Sequence, residues 1–219
     1  MSKFSYQTQL ILLFLTSILS IYSLPLSNDQ DDPSITKYPF VIIPGDGGNR
    51  LYAKLDKPKV PHRYCDKKTD DYFLLWLSIE EILPLVIDCF IDNIKLNYNN
   101  ETRKSFNTPG VDIKVLDFGQ TESVEYLDTF KISPTIYFAN IVESLVQKHG
   151  YVKGKNVRGA PYDWRKAPNE LQDYYNSLTK LVEETYELNN QTKVILMAHS
   201  MGNPVTLVSF YFIQILKFN

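Results

Sequence analysis

A serine late in the sequence stands in the setting that a catalytic nucleophile needs. Ser200 lies at the centre of residues 198–202 (AHSMG), with a small residue two positions before it and two positions after it. The apolar run at residues 194–197 (VILM) predicts a strand buried on both faces, and an apolar segment of helix length follows the serine. A strand, a serine between small residues and a helix make a nucleophile elbow, in which a strained turn raises the serine hydroxyl above the sheet edge.

A serine hydroxyl at such a turn can attack an ester carbonyl and carry the acyl group as a covalent intermediate. The oxyanion that forms needs hydrogen-bond donors, and the start of the following helix supplies backbone amides, that of Met201 among them. Ala198 stands where glycine is usual, whereas Gly202 keeps the second small position. The alternative is an ordinary strand-to-helix turn in which Ser200 only caps the helix.

A glycine-rich loop early in the sequence is a candidate source of the second donor. Residues 38–43 (YPFVII) predict the first strand, and residues 44–49 (PGDGGN) follow it directly. This loop lacks both the Lys-Ser/Thr ending and the G-x-G-x-x-G spacing of phosphate-binding loops. A loop after an early strand can bring a backbone N–H beside an elbow, so we expect the main-chain amide of Asp46 to complete an oxyanion hole. A solvent-exposed turn is the alternative.

The general base that a serine nucleophile requires is not evident in the sequence. A base must take the serine proton, and a carboxylate must orient that base. In the elbow arrangement both follow the serine, yet residues 201–219 contain no His, Asp or Glu. Of the three histidines, His62 and His149 are expected to be solvated, and His199 leaves the turn in a different direction from the nucleophile. We therefore expect this sequence to hold only the nucleophile half of a catalytic site.

The composition is that of an ordinary globular chain. The 219 residues are 44% hydrophobic and 22% charged, which suffices for one domain of moderate size. A net charge of −2, with lysines and arginines scattered along the chain, gives no footprint for nucleic acid. We therefore expect no nucleic-acid partner. We also expect no cofactor and no metal ion.

The first residues have the pattern of a secretory signal. A positively charged start is followed by an apolar run at residues 10–19, which is too short to span about 30 Å of hydrocarbon. We expect a signal peptide over residues 1–23 and a polar linker over residues 24–37, with an uncleaved anchor as the alternative. Asn100 and Asn190 each begin an N-glycosylation sequon, which agrees with a secretory route.

The two cysteines, Cys65 and Cys89, lie in the part that would enter an oxidising compartment. An even pair there predicts a disulfide, which would close a loop of about 25 residues and add roughly 3 kcal/mol in the chain-entropy model. Two buried free thiols are the alternative. Between the cysteines, a capping-box pattern at residues 78–81 (SIEE) predicts a helix start, and Pro84 is expected to kink or restart that helix.

The segment between the cysteines is also rich in large apolar residues, at residues 72–77 (YFLLWL) and again at residues 82–87 (ILPLVI). One interpretation is a satellite core packed under the main sheet. The other is a surface subdomain that lays Trp76 and the neighbouring Leu74 and Leu75 into a lipid interface. The sequence alone leaves both interpretations open.

Other segments complete an α/β pattern. Residues 113–118 alternate as a strand does, and residues 157–165 indicate a strand end and a loop whose Arg and Asp side chains form a structural ion pair. A helix is predicted over residues 133–150, with Tyr137 on its apolar face, and another over residues 171–186. The alternation of strands and helices predicts an α/β fold with a mostly parallel sheet.

Several motifs spread over residues 38–206 form a specific combination. They are PGDGGN at 44–49, AKLDKP at 53–58, YF and WL at 72–77, LP, IDC and IDNI within 83–94, RGAPYDWR at 158–165, and AHSMGN at 198–203. Together they resemble the lecithin–cholesterol acyltransferase family, and within it most closely the lysosomal phospholipase/transacylase branch.

The resemblance implies a catalytic site on an α/β-hydrolase fold that occupies residues 38–219. It implies that Ser200 is the acyl-accepting nucleophile and that the backbone amides of Asp46 and Met201 form the oxyanion hole. Family members look considerably longer than this chain, with the triad Asp and His in the part absent here. We therefore expect an incomplete fold, truncated after the nucleophile helix.

The resemblance also implies a membrane-binding subdomain at residues 65–98, closed by a Cys65–Cys89 disulfide and carrying Trp76. The hypothesis is then a serine acyl-hydrolase and O-acyltransferase that cleaves an acyl chain from a glycerophospholipid and passes it to water or to a lipid hydroxyl. Its partners would be a phospholipid membrane or a lipoprotein surface, in a lysosomal or extracellular compartment. This chain would be a poorly active form of that enzyme.

Two alternatives remain open at this point. One is a non-catalytic lipid-binding protein that keeps the apolar subdomain without a triad. The other is a hydrolase of soluble esters or peptides on the same fold.

Overall fold

The computed structural model describes residues 36–218, with side chains described as far as residue 212. The predicted signal peptide (1–23) and residues 24–35 of the predicted linker lie outside the described residues. In chain order the elements are β1 Phe40–Ile43, β2 Leu51–Leu55, β3 Phe73–Trp76, α1 Ile87–Ile94, β4 Leu96–Asn99, β5 Lys104–Asn107, β6 Val111–Lys114, the single turn α2 Glu122–Glu125, α3 Ala139–His149, β7 Val157–Gly159, α4 Gln172–Leu188, β8 Ile195–Ala198 and α5 Gly202–Phe218.

A parallel sheet in the order β7-β1-β8 is the centre of the fold. β1 lies in the middle, where Phe40 pairs with Val157 of β7 on one side and with Ile195 of β8 on the other. Alternate side chains of β1 face opposite helical layers: Val41 and Ile43 pack with α4 and α5, whereas Ile42 packs with α3. The predicted α/β arrangement with parallel strands is confirmed in this sheet.

β8 is less buried than the sequence pattern predicts. The prediction that residues 194–197 are buried on both faces is wrong, since Ile195 is 40% exposed and the rest of β8 is only partly covered. Within residues 36–218, β8 pairs with β1 alone and therefore lies at the edge of its sheet. The apolar run identified the strand correctly but not its place in the sheet.

Two antiparallel units accompany the parallel sheet. β2 pairs with β3 and β6, and β4 and β5 form a hairpin. The strand predicted at residues 113–118 is β6, which begins earlier and ends at Lys114. The predicted parallel pairing therefore holds for the sheet β7-β1-β8, which leads into Ser200, and not for the other described strands.

The disulfide between Cys65 and Cys89 is present, with a Cα–Cα distance of 5.5 Å. The helix predicted from residue 78 does not form there, because residues 79–86 make turns and α1 begins only at Ile87. Half of the capping box is present, as the amide of Glu81 donates to the hydroxyl oxygen of Ser78 at 3.3 Å. Pro84 removes a backbone donor at the position where the helix would have to continue.

The helix predicted over residues 133–150 is also shorter than expected. Ser133–Thr135 forms a separate 3-10 turn, and α3 begins at Ala139 and ends before Gly150, as predicted. The helix predicted over residues 171–186 is α4, and its Tyr175 packs in the core.

A buried ion pair links the segment after β2 to α1. The ammonium of Lys57 donates to Asp92 at 2.5 Å and to the side-chain oxygen of Asn93 at 2.8 Å, and only 1% of the Lys57 side chain is exposed. Burial alone would raise the pKa of the Asp92 carboxyl, but its hydrogen bonds and charge interactions with Lys57 and Lys95 outweigh burial and lower it.

The variant Asp92→Asn should lose about 3 kcal/mol of unfolding free energy at pH 7, because it leaves the Lys57 charge buried without its partner. A lowered pKa means that the contribution of Asp92 is complete above about pH 4, the unfolded-state value, and fades as the pH falls through the lower folded-state pKa. Urea unfolding should therefore show a wide gap between the two proteins at pH 7 and a narrower gap below pH 4. In the parent chain the Asp88 carboxylate pairs with His62 at the surface. The control variant Asp88→Asn should therefore lose less than about 1 kcal/mol of unfolding free energy. A gap that does not change with pH would contradict this role of Asp92.

Two core tyrosines differ in how their hydroxyls are satisfied. Tyr175 donates to the carbonyl of Pro168 at 2.7 Å, whereas the buried hydroxyl of Tyr162 has no hydrogen-bond partner in the described part of the chain. Burial raises the pKa of Tyr162 well above its ordinary value, so its hydroxyl stays protonated.

Replacing each tyrosine by phenylalanine should therefore have opposite consequences. Tyr175→Phe should lower the unfolding free energy by about 1 kcal/mol, while Tyr162→Phe should leave it unchanged or raise it, because no bond is lost and no polar group stays buried. The unfolding free energies of both variants and of the parent chain, measured by thermal unfolding, test this prediction. An equal loss in both would mean that the Tyr162 hydroxyl has a partner in solution.

Candidate functional site

The pairing of β1 with β8 brings the glycine-rich loop and the serine turn to the same sheet edge. Ile43 and Ala198 are partners in the parallel ladder, and the amide of His199 donates to the carbonyl of Ile43 at 3.2 Å. Residues 44–49 continue from β1 and Ser200 from β8. Because parallel strands end at the same edge, the two segments lie side by side at the carboxyl ends of the strands, where open α/β sheets bind ligands.

Ser200 adopts the strained backbone conformation that a nucleophile elbow requires. Its φ is 52°, in the left-handed region that residues other than glycine seldom occupy and that costs on the order of 1–3 kcal/mol. The helix that follows stabilises the turn, since the main-chain and side-chain nitrogens of Asn203 both donate to the carbonyl of Ser200, at 3.0 and 3.1 Å. The Ser200 side chain is exposed, and its hydroxyl makes no hydrogen bond with any residue in 36–212.

Two glycines allow the close approach of loop, strand and helix. A Cβ on Gly202 would lie 2.6 Å from the carbonyl oxygen of Ile43, so no larger residue fits there without a shift. A Cβ on Gly45 would lie 2.8 Å from the Cβ of Ser200 and 3.4 Å from its hydroxyl oxygen. The small residues therefore hold the loop directly against the serine.

The two predicted oxyanion donors come directly after the two residues that lie against each other, Gly45 and Ser200. Asp46 follows Gly45, and Met201 follows Ser200; both residues are exposed. Neither main-chain amide donates to another residue in the described part of the chain. An arrangement with one free hydroxyl and two unbonded amides on adjoining segments has the groups needed to attack an acyl carbonyl and to hold the resulting oxyanion.

Tyr137 joins the loop to the turn. Its hydroxyl lies 2.6 Å from Nδ1 of His199 and accepts a hydrogen bond from the amide of Gly45 at 3.2 Å. Burial raises the pKa of Tyr137, with the Gly45 amide acting in the opposite direction, so the phenol remains protonated at neutral pH. The sequence pattern predicted this tyrosine on an apolar helix face, whereas it lies two residues before α3 begins, and nothing in that pattern indicated a polar role.

No histidine in the described residues is bonded to the serine. His62 pairs with Asp88 at 2.8 Å and stacks on Tyr64, and His149 lies in the last turn of α3. Nδ1 of His199 is engaged by the tyrosine hydroxyl described above. The described residues therefore hold a candidate nucleophile, Ser200, that is not bonded to a base.

The ion pair predicted in residues 157–165 is structural. Arg165 binds Asp163 at 2.7 Å and also donates to the carbonyl of Ile94 and the side chain of Asn107. It thereby joins the loop after β7 to α1 and β5. None of these hydrogen bonds involves a residue of the serine turn.

The three residues named as lipid contacts occupy different environments. Leu75 is fully buried, packed with Ala53 and Phe90, so its side chain is not available to a lipid surface and that assignment is wrong. Leu74 and Trp76 are only partly exposed. The exposed apolar side chains of this region lie farther along the chain, in the turns that replaced the predicted helix and in α1; they are Ile79, Ile82, Leu83, Leu85 and Ile91.

Both sequon asparagines are accessible. Asn100 lies in the turn between β4 and β5, and Asn190 follows α4; both are exposed. No group of three or more His, Cys, Asp or Glu side chains among the described residues is arranged to hold a metal ion. Over residues 36–218, no helix combines the length and the apolar character needed to cross a membrane.

Comparison with known proteins identifies the family of this chain. The family model for lecithin:cholesterol acyltransferase matches residues 72–218. The chain is 50% identical to the lysosomal phospholipase A and acyltransferase of Mus musculus over 197 residues, which cover 90% of this chain and 47% of that protein. It is 49% identical to the Homo sapiens protein of the same name, covering 93% of this chain and 47% of that protein.

A second group of relatives is somewhat more distant. The phosphatidylcholine-sterol acyltransferase of Gallus gallus is 45% identical over 179 residues, covering 82% of this chain and 42% of that protein. The chain thus spans a little under half the length of the curated relatives it matches. Its mixed α/β fold, with a parallel sheet leading into the serine turn, is consistent with theirs. On these matches the chain belongs to the lecithin:cholesterol acyltransferase family.

Proposed function

We propose that this chain carries the nucleophile half of a serine acyl-hydrolase and O-acyltransferase that acts on glycerophospholipids. The observation that carries the proposal is the contact between Gly45 and Ser200, with the serine strained, exposed and unbonded. Relatives named phospholipase A and acyltransferase support the reaction class. The phosphatidylcholine-sterol acyltransferases support a phospholipid as the acyl donor.

The proposed reaction proceeds through an acyl-enzyme. The hydroxyl oxygen of Ser200 attacks an ester carbonyl of the phospholipid while a base takes its proton. The amides of Asp46 and Met201 donate to the oxyanion of the tetrahedral intermediate. When the intermediate collapses, the lysophospholipid leaves with that proton, and the acyl group stays on the serine. Water or a lipid hydroxyl then attacks the ester and releases a fatty acid or an acylated lipid.

The base and its orienting acid are proposed to come from sequence beyond residues 1–219. Residues 201–219 contain no His, Asp or Glu, and the matched relatives are more than twice as long as the portion that this chain covers. Oxyanion stabilisation without a base leaves on the order of 10³-fold acceleration over water. We therefore expect slow turnover from this chain alone, as from a truncated form of the enzyme.

The exposed apolar side chains after β3 are proposed to dock on a phospholipid membrane or lipoprotein surface. Leu85 is 85% exposed and Leu83 is 52% exposed, although each full burial of such a side chain is worth about 1.5–3 kcal/mol. They lie in the disulfide-closed part of residues 65–98, which we propose as the membrane-binding subdomain. A lipid surface would cover these apolar side chains, which are now in contact with water.

The compartment proposed is lysosomal or extracellular. The Cys65–Cys89 disulfide is of a kind that forms and persists in oxidising compartments, and the first relatives are named as lysosomal. Entry through the signal peptide at residues 1–23 and glycosylation at Asn100 and Asn190 belong to the same proposal.

An activated ester tests the nucleophile without needing a strong base. The chain, incubated with a p-nitrophenyl acyl ester, should acquire one acyl group on the peptide that contains Ser200, as read by mass spectrometry. Added imidazole supplies a base from solution and should speed both acylation and release. The Ser200→Ala variant measures the background reaction of imidazole with the ester. Ser177→Ala, at an exposed position on α4, is the matched control. Equal acylation of the chain and of Ser200→Ala would contradict the proposal.

The exposed apolar segment also favours a second candidate, a lipid-binding protein without catalysis. Sedimentation with phosphatidylcholine vesicles distinguishes the two functions. Binding that is lost in Leu85→Ser, together with no acyl group on Ser200 in the ester experiment, would favour the binding protein over the enzyme.

A further inference from the structure

The chain contains two tryptophans, and both donate hydrogen bonds to the glycine-rich loop. The indole N–H of Trp76 donates to the carbonyl of Gly47 at 2.8 Å. The indole N–H of Trp164 donates to the carbonyl of Asn49 at 3.0 Å. The two rings meet edge to face, with their centroids 5.3 Å apart. The loop is therefore held from the side by a pair of aromatic residues that come from two different segments.

Trp76 and Gly47 constrain each other closely. Gly47 has a φ of +65°, and a Cβ at this position would lie 3.2 Å from a ring carbon of Trp76. The ring thus lies against the loop backbone while its N–H fixes the direction of the Gly47 carbonyl. A phenylalanine at position 76 would keep much of the ring contact but could not donate the bond.

The residue between the anchored points carries the proposed oxyanion donor. Tyr137 accepts from the amide of Gly45, Trp76 donates to the carbonyl of Gly47, and Asp46 lies between them. The Asp46 amide shares a peptide unit with the Gly45 carbonyl, which accepts from the amide of Gly48 at 3.0 Å. The Gly48 amide in turn shares its peptide unit with the Gly47 carbonyl that Trp76 binds. Loss of the Trp76 bond therefore loosens the peptide that donates to the Gly45–Asp46 unit, and loss of the Tyr137 bond loosens the peptide that precedes this unit.

Trp76 also stands where the loop meets the disulfide-closed segment. It is the last residue of β3, its ring lies 6.4 Å from that of Phe90 on α1, and the exposed Ile79 follows three positions later. Its one polar hydrogen is already bonded within the protein. Moving this side chain into a lipid surface would break the bond to Gly47, whereas the exposed Leu85 can enter lipid without breaking any hydrogen bond.

We infer that Trp76 is a positioning residue for the oxyanion loop and not a lipid anchor: it holds the Gly47 carbonyl so that the Asp46 amide faces Ser200. This inference rests on the proposed oxyanion role of Asp46. It replaces the sequence-based expectation that Trp76 enters the lipid interface.

Hydrogen exchange tests the positioning role without requiring catalysis. In Trp76→Phe the amides of Gly45 and Gly48, which donate to Tyr137 and to the Gly45 carbonyl, should exchange faster. The amides of Ile195 and His199, which donate to the carbonyls of Pro39 and Ile43, should not change. A benzothienylalanine at position 76, which has the ring shape without the N–H, is the second variant should the phenylalanine variant unfold. Unchanged exchange at both loop amides would overturn the inference.

The ester reaction supplies a functional measurement. Trp76→Phe should lower the limiting acylation rate of Ser200 by about tenfold or more, with the half-saturating ester concentration unchanged, because a donor to the transition state is misplaced. A change in half-saturation alone would contradict a positioning role. If the parent chain shows no acylation of Ser200, the proposed function fails, and hydrogen exchange still decides whether Trp76 orders the loop.

Tryptophan fluorescence tests the lipid-anchor alternative. In Trp164→Phe, Trp76 is the only tryptophan, and phosphatidylcholine vesicles with brominated acyl chains should leave its emission essentially unquenched. The control carries Leu85→Trp together with Trp76→Phe and Trp164→Phe, and its emission should be strongly quenched. Quenching of Trp76 equal to that control would overturn the inference. If neither protein is quenched and neither sediments with vesicles, the proposed lipid docking fails while the exchange experiment still tests the positioning role.

Discussion

The parallel pairing of β1 with β8 is the constraint on which the candidate site depends. Two segments separated by more than 140 residues end at the same sheet edge only because Ile43 and Ala198 are partners in one ladder. That register sets the glycine-rich loop beside Ser200. A shift of one residue would turn every side chain of the strand to the other face and would displace the loop from the serine.

Several smaller interactions preserve what this pairing creates. The left-handed backbone at Ser200 is unfavourable by itself and is offset by the start of α5, where Asn203 donates twice to the serine carbonyl. Tyr137 links the loop amide of Gly45 to His199, and Trp76 donates to the carbonyl of Gly47 farther along the loop. The candidate site is therefore the Ser200 hydroxyl and a set of backbone groups, held in place by side chains that take no part in the proposed reaction.

Local patterns in the sequence predicted the features that depend on local physics. The serine between small residues, the glycine-rich loop and the even pair of cysteines each have a short-range signature, and each lies where it was expected. The sequence did not predict that β8 pairs with β1 alone within residues 36–218, because apolar residues do not reveal how many neighbours a strand has. It also misplaced a helix at residues 78–86, where Pro84 and turn geometry prevail over a capping pattern. The roles of Tyr137 and Trp76 depend on contacts across 92 and 29 positions, which no local pattern encodes.

A double-cysteine variant measures most directly whether the loop and the serine turn touch in solution. With Gly45→Cys and Ser200→Cys, the two Cβ atoms would start from 2.8 Å apart and need only a small shift to reach the spacing of about 3.8 Å found in disulfides. Mild oxidation should yield a linked peptide pair by mass spectrometry, with Cys65–Cys89 intact. The matched pair Gly154→Cys and Ser200→Cys, in which residue 154 packs on Gln120, should yield none. If the first variant gives no 45–200 link while Cys65–Cys89 forms normally, the loop does not lie against the serine.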